Sequence, residues 1–175
     1  MGILTDFYVA DSSELDGAFG WLRSEQTGAP PEFDPDDPDG STDAINAWVE
    51  EQPCPEPSDT EHARMAALER LEYKGVLSGC VSTLRHLLLG TEIDVAGDCI
   101  MSAAGHVLEK VPDDLIQAVA TCSDTKLLDL APAWATHEEV RWTEDHAREF
   151  LPLFANLTRI ALDRKKGVYL LISGF

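Results

Sequence analysis

A forty-residue window, Ser24 to Ala63, holds twelve Asp or Glu and seven Pro but no Lys or Arg. Proline fixes φ, lacks an amide donor and restricts the residue before it. Neither a helix nor a central strand can therefore run through Gly28-Ala-Pro-Pro31 or Pro53-Cys-Pro-Glu-Pro57. Between these breaks, Thr42 to Glu51 has room for one short helix burying Ile45 with Trp48 or Val49. The window reads as a loop, a short helix and a second loop. The segments on either side must build the core around this excursion.

The chain has 175 residues, enough for one domain, and a domain of that size buries roughly 70% of its unfolded surface. Its 44% hydrophobic content is ordinary for a folded protein, so the charge does not imply global disorder. The formal charge is −19, from 32 acids against 13 bases. Such a surface repels phosphate backbones and anionic lipid, which disfavours nucleic acid and membrane as partners. It is suited to a basic protein partner, or simply to solubility.

The start, Met1-Gly-Ile-Leu-Thr-Asp6, lacks the basic and apolar regions of a secretory signal. No apolar run reaches the ~20 residues of a membrane span. Cys54, Cys80, Cys99 and Cys122 are scattered without paired spacing. A cytoplasmic protein with reduced thiols is the expectation.

Periodicity gives the elements. Gly2 to Ala10 reads as a buried strand, followed by a helix capped by Ser12 or Ser13 with Leu15, Ala18, Phe19 and Leu22 on one face. Ser58-Asp-Thr-Glu61 has the form of a capping box, opening a helix from Asp59 to about Leu71. Val81 to Leu89 forms an apolar helix closed by Gly90. The residues from Glu92 to Ala104 read as another helix, and His106 to Val111 as a short strand. Pro112 sets the first turn of a helix ending at Cys122.

Ser123-Asp124 caps a helix through Leu127, Leu130 and Trp134 that Pro132 interrupts. Thr143 caps the longest helix, which Pro152 should kink or restart and Gly167 should stop. Val168 to Ile172 is a final strand. The expected fold class is α+β: a mainly helical single domain whose small sheet includes the N- and C-terminal strands, with the helices on one face.

Three segments carry a family resemblance: Met1-Gly-Ile-Leu-Thr-Asp6, Tyr73-Lys-Gly-Val76 leading into Leu84-Arg-His-Leu-Leu-Leu-Gly90, and Lys165-Lys-Gly-Val-Tyr-Leu-Leu-Ile172. The chain resembles the uncharacterised bacterial YfbM-like family. Those proteins also open on a short strand, carry a leucine-rich helix ending in Leu-x-Gly, and close with a helix and a hydrophobic strand. The resemblance implies a fold and brings no activity, cofactor or site with it.

Motifs for specific chemistry fall short. A calcium loop with Gly40 at its sixth position would place Pro35 first and Asn46 twelfth, where Asp and Glu are required. Cys80 with His86, and Cys99 with His106, are spaced more widely than structural zinc pairs. In His137-Glu138-Glu139 the second zincin histidine is replaced by Arg141. Ser82 and His86 lie one turn apart but have no assignable third group to orient a base. No cofactor is implied.

Two readings of function follow. The leading one is a non-enzymatic interaction module, of immunity or antitoxin type or a nucleic-acid mimic, that meets a basic protein through Asp34, Asp36, Asp37 and Asp39. Trp142, amid charged neighbours, is its candidate contact aromatic. The alternative is a small enzyme with a polar cleft near Tyr73, Arg85, His86 and His106.

Overall fold

A computed structural model describes residues 4–23, 56–93, 98–103 and 105–174. Asp34, Asp36, Asp37, Asp39, the short helix expected over Thr42 to Glu51, and Cys54 lie outside the described residues. Strand β1 (Leu4–Ala10) leads to helix α1 (Ser12–Phe19) and a 3-10 turn (Gly20–Arg23). Next come α2 (Asp59–Ala67), β2 (Glu69–Lys74), α3 (Ser78–Leu89), β3 (Asp98–Ala103) and β4 (His106–Lys110). Helices α4 (Asp113–Thr121), α5 (Asp124–Ala135) and α6 (Glu144–Arg164) precede the last strand, β5 (Gly167–Ser173).

The five strands form one antiparallel sheet in the order β2-β1-β5-β4-β3. The terminal strands pair along the whole of β1, from Leu4 opposite Ser173 to Ala10 opposite Gly167. The α+β class and the union of the two terminal strands are as the sequence indicates.

Strand alternation then sorts the core into two layers. Phe7, Val9, Val168, Leu170 and Ile172 point to one face, where α3, α4, α5 and α6 bury Leu84, Leu115, Leu127, Trp134, Phe150 and Phe154. Tyr8, Ala10, Leu108, Tyr169 and Leu171 point to the other face, covered by Leu15, Ala18 and Phe19 of α1 with Trp21 and Leu22. Helices thus cover both faces, not one. The sequence reason is that both β1 and β5 are apolar at consecutive positions, so each face needs a cover.

The capping residues show how local chemistry places the helix starts. Asp11, rather than Ser12 or Ser13, caps α1: it accepts from the amides of Ser13 and Glu14, and Glu14 accepts from the Asp11 amide at 2.9 Å. The Ser58–Glu61 capping box forms as its spacing requires.

Helix α2, however, stops at Ala67, and the expected helical tail is strand β2. Its Leu71 and Tyr73 alternate with exposed Arg70, Glu72 and Lys74, the pattern of a half-buried edge strand against β1. Residues Asp98–Ala103, expected as helix, form β3 in a hairpin with β4 that turns at Gly105, φ +75°. Around a bulge between Cys99 and Met101 three successive residues, Asp98, Cys99 and Ile100, are exposed, which hides the strand period in the sequence.

Helix α6 runs as one element through Pro152. The carbonyl that proline leaves without a donor belongs to Arg148, an exposed residue where water can take it. Lys165, at φ 54°, ends the helix before Gly167 begins β5.

Phe150 sits at the centre of an aromatic cluster, with ring centroids 4.9 Å from Tyr73, 5.4 Å from Phe154, 5.5 Å from Trp134, 5.6 Å from Trp142 and 5.8 Å from Phe7. Phe150→Ala is expected to lower unfolding free energy by about 3–5 kcal/mol in urea titrations, since a packed cavity of that size cannot collapse. Gly90 caps α3 in the left-handed region at φ 71°, with open space around its Cα. There Gly90→Ala should cost about 1 kcal/mol, all of it backbone strain, and Gly90→Asn should recover part of the loss in the same titration.

Candidate functional site

Helix α3 packs Cys80, Thr83 and Leu84 inward and turns a second stripe, Ser78, Val81, Ser82 and Arg85, toward β4. The spacing i, i+3, i+4, i+7 makes that stripe one helical face. It does not close onto the sheet. A cleft of about 330 Å³ lies between it and Glu109, Lys110, Val111, Pro112, Leu170 and Asp98.

Glu109 forms the polar floor. It lies on the apolar side of β4, in register with Leu170, and is only 7% exposed. The Ser78 hydroxyl donates to its carboxylate, with Oγ 2.7 and 2.6 Å from the two oxygens. Such a bond to the charged form offsets part of the cost of taking a carboxylate out of bulk water.

The cations at the rim are anchored by the start of α4. Arg85 forks onto Asp114, with Nε at 2.9 and 3.1 Å and Nη2 at 2.6 Å from the carboxylate oxygens. The Asp114 carboxyl is held below its ordinary value, first by the hydrogen bond from Arg85. Lys110 Nζ lies 2.8 Å from Asp113, and that hydrogen bond raises the lysine pKa. The rim cations Arg85 and Lys110 are thus each paired with an aspartate, and Glu109, Asp98, Ser78 and Ser82 are the other polar residues lining the cleft. Val81, Val111, Pro112 and Leu170 supply apolar wall.

The structure places the sequence-derived candidates apart. Arg85 lines the cleft. Tyr73 belongs to the aromatic cluster, and its hydroxyl donates to the His146 carbonyl at 3.2 Å. His86 is exposed, with Nδ1 donating to the Thr91 carbonyl at 2.5 Å. His106 is on the opposite face of the sheet, 2.9 Å from the Ser173 hydroxyl and edge-on to Trp21. Tyr73, Arg85, His86 and His106 therefore do not converge on one cleft. Trp142 is half-buried against Tyr73, Trp134 and Phe150.

The residue that sequence reasoning missed is Glu109. The signal was present: in the strand from His106 to Val111, a period of two places Glu109 on the same side as Val107 and Val111. An acid on the apolar side of a strand marks a polar site within a core.

Burial lowers the His106 pKa from its ordinary 6.5. As pH falls, the unfolded chain takes up this proton before the folded one. The stability tied to neutral His106 is whole above the unfolded value and is lost as pH drops through it toward the folded value. His106→Gln should flatten the decline of Tm between about pH 7.5 and pH 5 relative to the parent chain, as read by scanning calorimetry.

No protein-family model and no curated protein matches the chain. Among solved structures it is similar to the crystal structure of YfbM from Escherichia coli, a protein of unknown function. The TM-score is 0.37 at 12% identity, covering 98% of this chain and 99% of that one. That likeness assigns no activity to this chain. No helix among the described residues is long and apolar enough to cross a membrane.

Proposed function

We propose that this protein is a non-enzymatic, cytoplasmic interaction module that binds a basic protein through its acidic surface. The observation that carries the reading is how the positive charge is used. Eight of the thirteen Lys and Arg side chains are tied to acids within the fold: Arg23, Arg70, Arg85, Lys110, Arg148, Arg159, Arg164 and Lys166. Each is matched to one carboxylate and offers little positive field to a partner, while acids outnumber bases 32 to 13. The field that remains is negative, and it is most concentrated along the Ser24 to Ala63 window.

Electrostatic complementarity of this kind mainly accelerates encounter and rejects acidic competitors. An immunity or antitoxin role against a basic effector is one form of the reading. Mimicry of nucleic acid, with carboxylates in place of phosphates, is another. Asp34, Asp36, Asp37, Asp39 and Trp142 are the contact residues proposed.

The test is capture from a host lysate at low salt, followed by kinetics with the purified partner. Replacing Asp34, Asp36, Asp37 and Asp39 with Asn should slow association on the order of tenfold and flatten its salt response, with a smaller change in dissociation. An association rate indifferent to both salt and the four substitutions would refute the proposal.

A further inference from the structure

The two outer strands of the sheet differ in what they offer a neighbour. β3 is broken by its bulge, and its exposed positions carry one acid, Asp98, and no base. A bulge interrupts the ladder that another strand would need. β2 is regular: it pairs with β1 residue for residue from Glu69 to Lys74, and no strand among the described residues lies on its outer side. Such an edge is a template for a further strand. Its exposed positions, Arg70, Glu72 and Lys74, alternate in sign.

Charge decides which strand fits. Glu72 stands directly opposite Asp6 of β1, and like charges so placed destabilise a sheet. The Asp6 carboxyl is accordingly pushed up, first by burial and then by Glu72. Arg70 stands opposite Tyr8 and meets Glu72 along its own strand. The Arg70 and Glu72 side chains are 45% and 61% exposed, so both ions lie open on the outer strand.

Consider a second copy of the chain set antiparallel about a two-fold axis at Leu71. Each Leu71 faces its counterpart, and Arg70 of each copy faces Glu72 of the other. Each ion then gains a second neighbour of opposite sign and loses none. Moving the axis to Arg70 or to Glu72 sets arginine against arginine or glutamate against glutamate, so charge selects the one register.

We infer that β2 is the interface of a homodimer, in which two copies join their sheets edge to edge with Arg70 opposite Glu72. The contact is isologous, as a two-fold requires. A six-residue strand makes a small interface, so the dimer is a weak, concentration-dependent one. The net charge of −19 on each copy opposes it, but at physiological salt that repulsion is screened beyond ~8 Å while the paired ions are in contact. The inference stands apart from the acidic window, and its test contains no other protein.

The experiment is sedimentation equilibrium of the full chain in physiological salt, up to about 1 mM, the range of weak association. The parent chain should approach twice its monomer mass. Arg70→Glu and Glu72→Arg should each weaken the dimer by about tenfold or more, because two attractive pairs become repulsive. Mixing the two variants should restore association, since every cross-copy pair is then of opposite sign. If Arg70→Glu does not give a folded circular dichroism spectrum, Glu72→Arg carries the test alone. It removes the repulsion with Asp6, so it should keep or raise Tm while losing the dimer, which a merely structural role would not do. A parent chain that stays monomeric overturns the inference. So do variants that associate as the parent does, or a mixture of folded variants that remains monomeric.

Discussion

The pairing of β1 with β5 is the constraint on which the rest of the molecule depends. These two strands lie side by side within the sheet: β2 attaches to β1, β4 to β5, and β3 joins through β4. Their residues alternate between two apolar layers, so a single register decides which side chains meet α3 to α6 and which meet α1. A slip of one residue would exchange Phe7 and Leu170 for Tyr8 and Leu171 and reverse both layers at once. The side of the sheet presented by β4, and with it the position of Glu109, is set by the same register through its pairing to β5.

Much of this architecture was legible in the sequence where one signal acted alone. Val168 to Ile172 is too short and too β-branched or aromatic to be anything but a strand. The Ser58–Glu61 box and Gly90 mark helix ends by side-chain chemistry and backbone freedom. Legibility failed where two signals overlapped. The helical tail expected after Ala67 continued the run of Leu68 and Leu71 at a helical spacing, while Leu71 and Tyr73 also fit a strand. Pairing with β1 decided between them. Around Cys99 the bulge removed the alternation that would have identified β3. The second helical layer was missed for a different reason: consecutive apolar residues in a strand look alike whether one face or two are covered.

The candidate chemistry followed the same division. Arg85 could be placed near a site from its position on α3, but its bond to Asp114, 29 residues away, is a product of the fold. His106 and Tyr73 both sit near strand ends, yet strand parity sends them to opposite faces. Parity also buries Glu109, and buried polarity, unlike exposed polarity, is informative about where a folded surface does something other than dissolve. The acidic window and the Glu109 cleft thus express one sign of charge in two ways. The first is spread along proline-broken chain, and the second is a single group fixed between a helix and a sheet.

The central position of β1 and β5 also sets the kinetics of the fold. More than 150 residues separate the end of β1 from the start of β5, so the middle of the sheet cannot be zipped up locally. The β3–β4 hairpin is assembled from neighbours, but the sheet is completed only by an encounter across nearly the whole chain. The entropy lost in closing such a loop grows only with the logarithm of its length. Forty residues of acidic chain inside it therefore slow and destabilise the closure by only a few tenths of a kcal/mol. A fold joined by strands so distant in sequence can carry added chain between them at little cost in closure entropy.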